Sequence, residues 1–404
     1  MELRPILATL RKHRIPAILI VLEIALACAV LCNAVFMISL RVGQMHLPNA
    51  IDEHGISLVS VNGTDPKLAA SDIPRNLAAL RGIAGVTAAS VSNTVPLSTN
   101  NIGWSFGTSP DTTLSTQHTV NLSMYFVGEG ADQALGLRLK QGRFFTSDEY
   151  ADSKLGSGVL PGIHVAVLTE NAADRMWPGQ SPLGKTFYSK PNFYQVVGVV
   201  ANVMRPWIGD KEYAYNAVYF PLAPDGMTSG YIVRSAPGNR DRVLQQATQT
   251  LQKLNPGAVV KGQTFTDIRN HFFADTNSMA WMLVLVCAVM LAVTAFGIVG
   301  LTSFWVAQRR RQIGIRRAVG ATRTDILRYF QAENFLLASF GIALGMALAY
   351  GFNLFLMKHY ELPRLPGIYL PVGAFVLWGI GQLAVLGPAL RAANVPPVVA
   401  TRAA

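Results

Sequence analysis

The sequence predicts a membrane protein: four transmembrane α-helices, with a large α+β extracytoplasmic domain inserted between helices 1 and 2. Three observations carry that prediction. Only 14% of the 404 residues are charged while 50% are hydrophobic, against roughly 25% charged in an average soluble domain. Four apolar stretches are each long enough to cross a bilayer, which takes about 20 residues. The net charge of +11 also sits beside those stretches: residues 41–276 carry 19 Lys and Arg against 18 Asp and Glu, and the remainder carries 15 against 5. Cationic residues that flank apolar runs set membrane orientation, so the pattern reads as topology and gives no footprint for nucleic acid.

The apolar stretches cover residues 16–40, 279–307, 332–357 and 367–390. Placing the Arg-rich flanks inside leaves residues 1–15 cytoplasmic and 41–276 outside, with 308–331 as a cytoplasmic loop. A short outer loop at 358–366 and a cytoplasmic tail at 391–404 follow. A cleaved signal peptide is the rival for the first stretch, but its apolar part exceeds the ~7 to 15 residues of an h-region. Cys28, Cys32 and Cys287 all lie inside apolar runs, where a thiol acts as a small hydrophobe and no disulfide framework is implied. Glu23 stands out as an acid in the middle of the first stretch. At a bilayer centre it would cost about 2.5–3.5 kcal/mol, so it should face the bundle or the cytoplasmic interface.

The outer segment mixes strand and helix signals. ISLVSVN at 56–62 alternates with period 2, and an amphipathic stretch follows from Asp72 towards Val86, with a second strand near 87–93. Residues 95–114 are rich in Ser, Thr, Asn, Gly and Pro and read as a long loop or extended hairpin, making the 95–120 region a candidate for partner contact. Strands are expected at 164–169, 194–203, 219–222 and 231–234, with short helices at 170–177 and 240–253 and an extended return at 258–266.

Few residues in this segment propose chemistry. Gly179 to Thr186, GQSPLGKT, fits the phosphate-loop pattern G-x-x-x-x-G-K-T. Its context does not fit, because it follows a helix and Pro178, precedes strand-like residues, and loses an amide donor at Pro182. A structural turn is the expected outcome. The seven histidines are scattered without an i, i+4 pair, so no metal site is expected. Asp148 and Glu149 are adjacent, and consecutive side chains diverge, which suits a turn or helix start better than acid/base chemistry. No catalytic residue and no bound cofactor are expected in this chain.

The most informative stretch is RRRQIGIRRAVGATRTDILRYFQAEN, Arg309 to Asn334, with seven arginines. Thr322 and Asp325 have capping-box spacing just before Ile326 and Leu327, and Gly320 breaks the chain ahead of them. The arginines could simply fix topology and bind anionic headgroups. They could also form a docking surface for a soluble partner.

From Ile313 to Gly345, IGIRRAVGATRTDILRYFQAENFLLASFGIALG resembles the FtsX/MacB-type permeases, the membrane subunits of type VII ABC transporters. MYFVGEGADQALGLRLKQGRFFTSDE, AVLTENAADRMWPGQSPLGKTF and YQVVGVVANV resemble the MacB-like periplasmic core domain of that family, in which the PLGK segment is structural. GPALRAANVPPVVATR resembles the family's ending after the last span. The resemblance implies a bacterial inner-membrane subunit that dimerises with a copy of itself or a related chain and docks a cytoplasmic ATPase. ATP-driven motion would then pass to the outer domain, and a periplasmic adaptor is a further candidate partner. No fused ATPase is evident, so ATP and Mg are expected in a separate partner chain.

Both lines of argument select residues. The expected ATPase-docking surface comprises Gly314, Arg316, Arg317, Ala318, Gly320, Ala321, Arg323 and Asp325, with Ile326, Leu327 and Phe330 anchoring the helix. Ala338, Gly341, Gly345 and Ala349 recur at spacings of three, four and four, a face of small residues suited to close helix packing within or between subunits. The alternative function is an ATPase-independent membrane-anchored receptor or scaffold whose outer domain binds a ligand or protein.

Overall fold

A computed structural model describes residues 14–110, 119–150, 163–190, 192–209, 211–222, 230–360 and 364–394. The N-terminal arginines before Arg14, part of the 95–120 region and the end of the C-terminal tail lie outside these residues. The chain divides into two compact units, Leu47–Ala274 and a helical unit of Met1–His46 with Asp275–Ala404.

Among the described residues, four helices are long and apolar enough to cross a membrane. They are α1 (Arg14–Met45), α6 (Phe265–Gln308), α8 (Arg323–Tyr360) and α9 (Tyr369–Ala393). Each begins or ends beyond its apolar stretch, because a helix continues while its backbone ladder is satisfied, whereas an apolar run marks only what water disfavours. α1 packs most extensively on α8 and also on α9. A Cβ on Gly341 would lie 2.8 Å from the Ile24 side chain and 3.0 Å from the Val21 carbonyl, and one on Gly345 would lie 2.5 Å from Cys28 and 2.6 Å from the Ala25 carbonyl. A Cβ on Gly373 of α9 would meet Cys32 Sγ at 2.6 Å. Asn33 Nδ2 adds an interhelical bond to the Ala349 carbonyl at 3.3 Å.

The other unit contains two sheet regions. Strands β1 (Ile56–Asn62), β2 (Val86–Ser92), β10 (Gly230–Ser235) and β11 (Val259–Thr264) form an antiparallel sheet in the order β11-β1-β10-β2. Helix α2 (Ala69–Arg81) connects β1 to β2, and α5 (Arg240–Leu254) connects β10 to β11. This is a ferredoxin-like βαββαβ arrangement. Ile73, Leu77 and Leu80 on α2, with Val243, Ala247 and Leu251 on α5, recur at helical spacing and are buried with Val59, Val91 and Val233 of the sheet. Asn76 is buried too, but it donates to Tyr231 Oη at 2.8 Å and accepts from Asn255 Nδ2 at 3.3 Å, so its polarity is matched.

The rest of the unit is inserted between β2 and β10. Strands β3 (Gly103–Gly107), β4 (Thr119–Val127), β6 (Val165–Thr169), β7 (Thr186–Ser189), β8 (Asn192–Val200) and β9 (Ala217–Pro221) pair around a ring in the order β4-β3-β7-β8-β6-β9. The parallel β4–β9 ladder closes the ring, which removes exposed strand edges. Phe106, Leu122, Phe126, Phe187, Tyr194, Val218 and Phe220 form its core. A short strand, β5 (Leu139–Gly142), pairs with β8, and helices α3 (Ala131–Leu135) and α4 (Glu170–Met176) complete the unit.

Of the two readings of the Ser/Thr/Asn-rich stretch, loop or extended hairpin, the hairpin is found, with β3 pairing from Gly103↔Ser123 to Gly107↔Thr119. α2 starts at Ala69, ahead of Asp72, with the 3-10 turn Pro66–Leu68 in front of it.

Candidate functional site

Between α6 and α8 the chain makes an elbow. α6 ends at Gln308, Arg309 leaves helical geometry, and a separate nine-residue helix, α7 (Arg310–Ala318), follows. Gly320 then adopts φ +106, a conformation that side chains rarely tolerate. Its N–H bonds the Arg317 carbonyl at 3.2 Å, while the Ala321 N–H reaches the Arg316 carbonyl at 3.0 Å. The Thr322 backbone N–H donates to Asp325 Oδ2 at 2.9 Å, and the Asp325 N–H donates to Thr322 Oγ1 at 3.2 Å. This is the capping box that the spacing predicts, and it starts α8 itself. The capped helix is therefore continuous with the third long helix, and the independent helix of the elbow lies upstream, at α7.

Three arginines fasten the elbow to the helical unit. Arg309 Nη1 lies 3.1 Å from both oxygens of Glu333, with side chains 7% and 2% exposed, and its guanidinium stands 5.5 Å from the Trp305 ring. Arg316 stacks over Tyr329 at 4.9 Å. Arg317 Nη1 donates to the Ala393 carbonyl at 2.9 Å, at the end of α9. Ile313 of α7 joins Ile326 and Phe330 of α8 in the buried core. A buried ion pair pays heavily for desolvation, and loss of one partner leaves an uncompensated charge. The pair was not anticipated: Glu333 sits at the start of the third apolar stretch, so Glu23 is not alone as an acid within these runs.

The predicted docking residues separate by environment. Arg316, Ala318, Gly320, Arg323 and Asp325 are exposed, and Ala321 is half-buried. Gly314 is buried on the inward side of α7, and half-buried Arg317 is engaged with α9. Ile326, Leu327 and Phe330 belong to α8, where Ile326 and Phe330 share a buried cluster with Ile313 of α7. Sequence reasoning passed over Ile315 and Val319, which are 49% and 84% exposed in the midst of the arginines. Their i, i+4 spacing was the available signal.

The remaining candidates have defined places. Ala338, Gly341, Gly345 and Ala349 are buried on α8, with the two glycines against α1 of the same chain. Glu23 is half-buried, and its carboxyl occupies the space that a side chain at Gly297 of α6 would need.

The segment 179–186 is a turn leading into β7. The Gly184 N–H bonds the Val196 carbonyl at 2.9 Å, the Lys185 N–H bonds the Pro182 carbonyl at 3.1 Å, and Lys185 Nζ bonds Gln180 Oε1. Amides that would cradle a phosphate are thus used within the fold. Asp148 and Glu149 lie in the 3-10 turn Ser147–Glu149, where Glu149 is held by Arg143 at 2.6 and 2.7 Å.

Long apolar helices, a folded α+β unit between the first two, and an arginine-fastened elbow define a multi-helix membrane protein. The family model described as MacB-like periplasmic core domain matches residues 24–261, and that described as FtsX-like permease C-terminal matches residues 284–397. The chain belongs to the FtsX/MacB-type permeases of ABC transporters. It is similar to proteins named macrolide export ATP-binding/permease protein MacB. One from Neisseria gonorrhoeae is 26% identical over 305 residues, covering 72% of this chain and 45% of the relative. One from Chromobacterium violaceum is 27% identical over 291 residues, covering 69% and 43%. The chain thus spans less than half the length of these relatives and matches permease regions. Among solved structures, the periplasmic region of MacB from Actinobacillus actinomycetemcomitans aligns with a TM-score of 0.36 at 18% identity, over 55% of this chain and 93% of that one. The extracellular domain of the ABC-type transporter YknZ from Gram-positive bacteria aligns at 0.34 and 15% identity, over 52% and 99%.

Proposed function

We propose that this chain is the permease subunit of a MacB/FtsX-type ABC transporter in the bacterial inner membrane, with the elbow in the cytoplasm and residues 47–274 in the periplasm. It couples ATP hydrolysis by a separate cytoplasmic ATPase, which binds the ATP and Mg, to movement of its periplasmic domain. The work performed is export of a periplasmic compound, an assignment that draws on the relatives named for macrolide export. A second permease completes the dimer, and an adaptor joins it on the periplasmic side.

One observation carries the coupling role. The elbow exposes Val319 and Ile315 among Arg310, Arg311, Arg316 and Arg323, whereas a strip that served only as a positive flank would have no use for a large aliphatic residue 84% exposed at its tip. An apolar knob ringed by arginines suits a soluble partner with an apolar pocket and an acidic rim. The ties from Arg309, Arg316 and Arg317 to α8 and α9 would pass a push on that knob directly into the long helices.

The test is affinity purification of the intact protein in mild detergent, followed by identification of co-purifying chains and an ATPase assay. Val319→Glu alters only the exposed knob and is expected to abolish recovery of the ATPase while the permease stays folded. Arg317→Glu would also release the end of α9, so it reports on packing as well as docking. Failure to recover an ATPase with the folded wild-type chain would favour the receptor or scaffold alternative.

A further inference from the structure

Asn121 of β4 and Arg205, Trp207 and Tyr213 from between β8 and β9 line a cavity of about 600 Å³, within the range of small-molecule sites, roughly 300–1,000 Å³. Arg205 lines it and is only 8% exposed. Its Nε donates to Ser123 Oγ at 2.7 Å, while Nη2 to Asn121 Oδ1 and Nη1 to the Tyr213 carbonyl are long, at 3.4 and 3.5 Å. Among the described residues no carboxylate lies within ion-pair distance of this guanidinium. Burial pushes its pKa down, partly offset by the nearby Tyr125. An Arg buried to this degree is ordinarily paired.

Asn216 lines the cavity but is fully buried, with its Nδ2 donating to the Asn121 carbonyl at 3.5 Å. Trp207 is 55% exposed, with its ring folded over Gly209, where a Cβ would stand 3.2 Å away. The other cation in the wall, Arg175, is already neutralised by Glu212 at 2.8 Å and stacked on Tyr213 at 4.6 Å. Among the described residues the cavity wall therefore presents one positive charge without an ion pair and one open aromatic face.

We propose that this cavity binds a small apolar monoanion: a carboxylate that meets Arg205, with an apolar body resting on Trp207. A single free charge suits a carboxylate, because a phosphate dianion would keep half its charge uncompensated. The site lies wholly within residues 47–274, so it stands independently of ATPase docking at the elbow.

The test uses the full chain in lipid nanodiscs with three probes: N-acetyl-L-phenylalanine, its uncharged amide, and inorganic phosphate. Calorimetry measures affinity, and tryptophan fluorescence reports on Trp207 by comparison with Trp207→Phe. The acid is expected to bind saturably, and the amide about tenfold or more weaker, as befits loss of a charge-assisted contact. Arg205→Gln is expected to lower affinity for the acid to a similar degree. Since Arg205 also bonds Ser123, Trp207→Ala at an exposed position is the second variant, with an expected loss of about fivefold for a stacking contact. Equal binding of acid and amide, no binding of any probe, or unchanged affinity in Trp207→Ala would overturn the proposal. Phosphate binding as tight as the acid would likewise overturn it.

Discussion

Helices α1 and α6 are both long and strongly apolar, yet 44% of the apolar stretch is buried in α1 and 17% in α6. α1 lies against Gly341 and Gly345 of α8 and Gly373 of α9, and at each of these positions a methyl group would collide with it. α6 instead exposes Trp281, Leu285, Val289, Val293, Phe296 and Phe304, and Gly300 on it has open space where a side chain would go. Apolarity does not distinguish the two, since lipid tails match a leucine as well as another helix does. Close packing in a membrane follows small residues and shape, and α8 and α9 present such residues to α1. α6 has its strong tie just past its end, where Arg309 meets Glu333.

The largest expected effect comes from breaking that tie. Glu333→Gln leaves Arg309 buried without a counter-charge and should cost about 3–5 kcal/mol. Thermal unfolding in detergent would read it, and a double replacement, Glu333→Leu with Arg309→Met, should recover most of the loss. The second test separates the helices. Gly345→Leu forces a side chain into the Ala25 backbone and should destabilise by about 1–3 kcal/mol, whereas Gly300→Leu should stay within about 0.5 kcal/mol of wild type. Equal effects at the two positions would end the contrast drawn here.

A smaller effect is expected at Asn33, whose bond to the Ala349 carbonyl joins α1 to α8. Asn33→Ala should cost about 0.6 kcal/mol, the usual worth of an interhelical hydrogen bond in a membrane. The smallest lies outside the bundle. The Arg143 guanidinium holds Glu149 below the usual carboxylate range. The depressed folded-state value means that its contribution is complete above the ordinary carboxylate pKa and fades as pH falls through the lowered one. Because Arg143 is half-exposed, the gain is under about 1 kcal/mol, and Glu149→Gln should slightly flatten the acid limb of the unfolding profile in the full chain.

The expected β1 at 56–62 matches the observed strand, and α5 begins at the expected Arg240, because each pattern keeps one period to its end. β3 was hidden. Its sequence GWSFG has one buried aromatic and two glycines, and it becomes a strand only because β4 and β7 supply partners. α7 was hidden too, since its arginines mask a buried side made of Ile313 and Gly314. Within the candidate site, the capping box and the run of arginines were readable, because both are local. The pairing of Arg309 with Glu333, and the outward turn of Ile315 and Val319, were not.

Local pattern was enough to tell which segments are apolar, where charge collects beside them, and which spacings start a helix or alternate as a strand. Those properties depend on a residue and its near neighbours along one chain segment. Which apolar face is covered, which strands close into a ring, and which arginine is spent on packing depend on partners far away in the chain. Arg205 shows the limit well: nothing around position 205 marks it as special, and its burial without an ion pair among the described residues arises only where it meets Asn121 and Ser123 of β4.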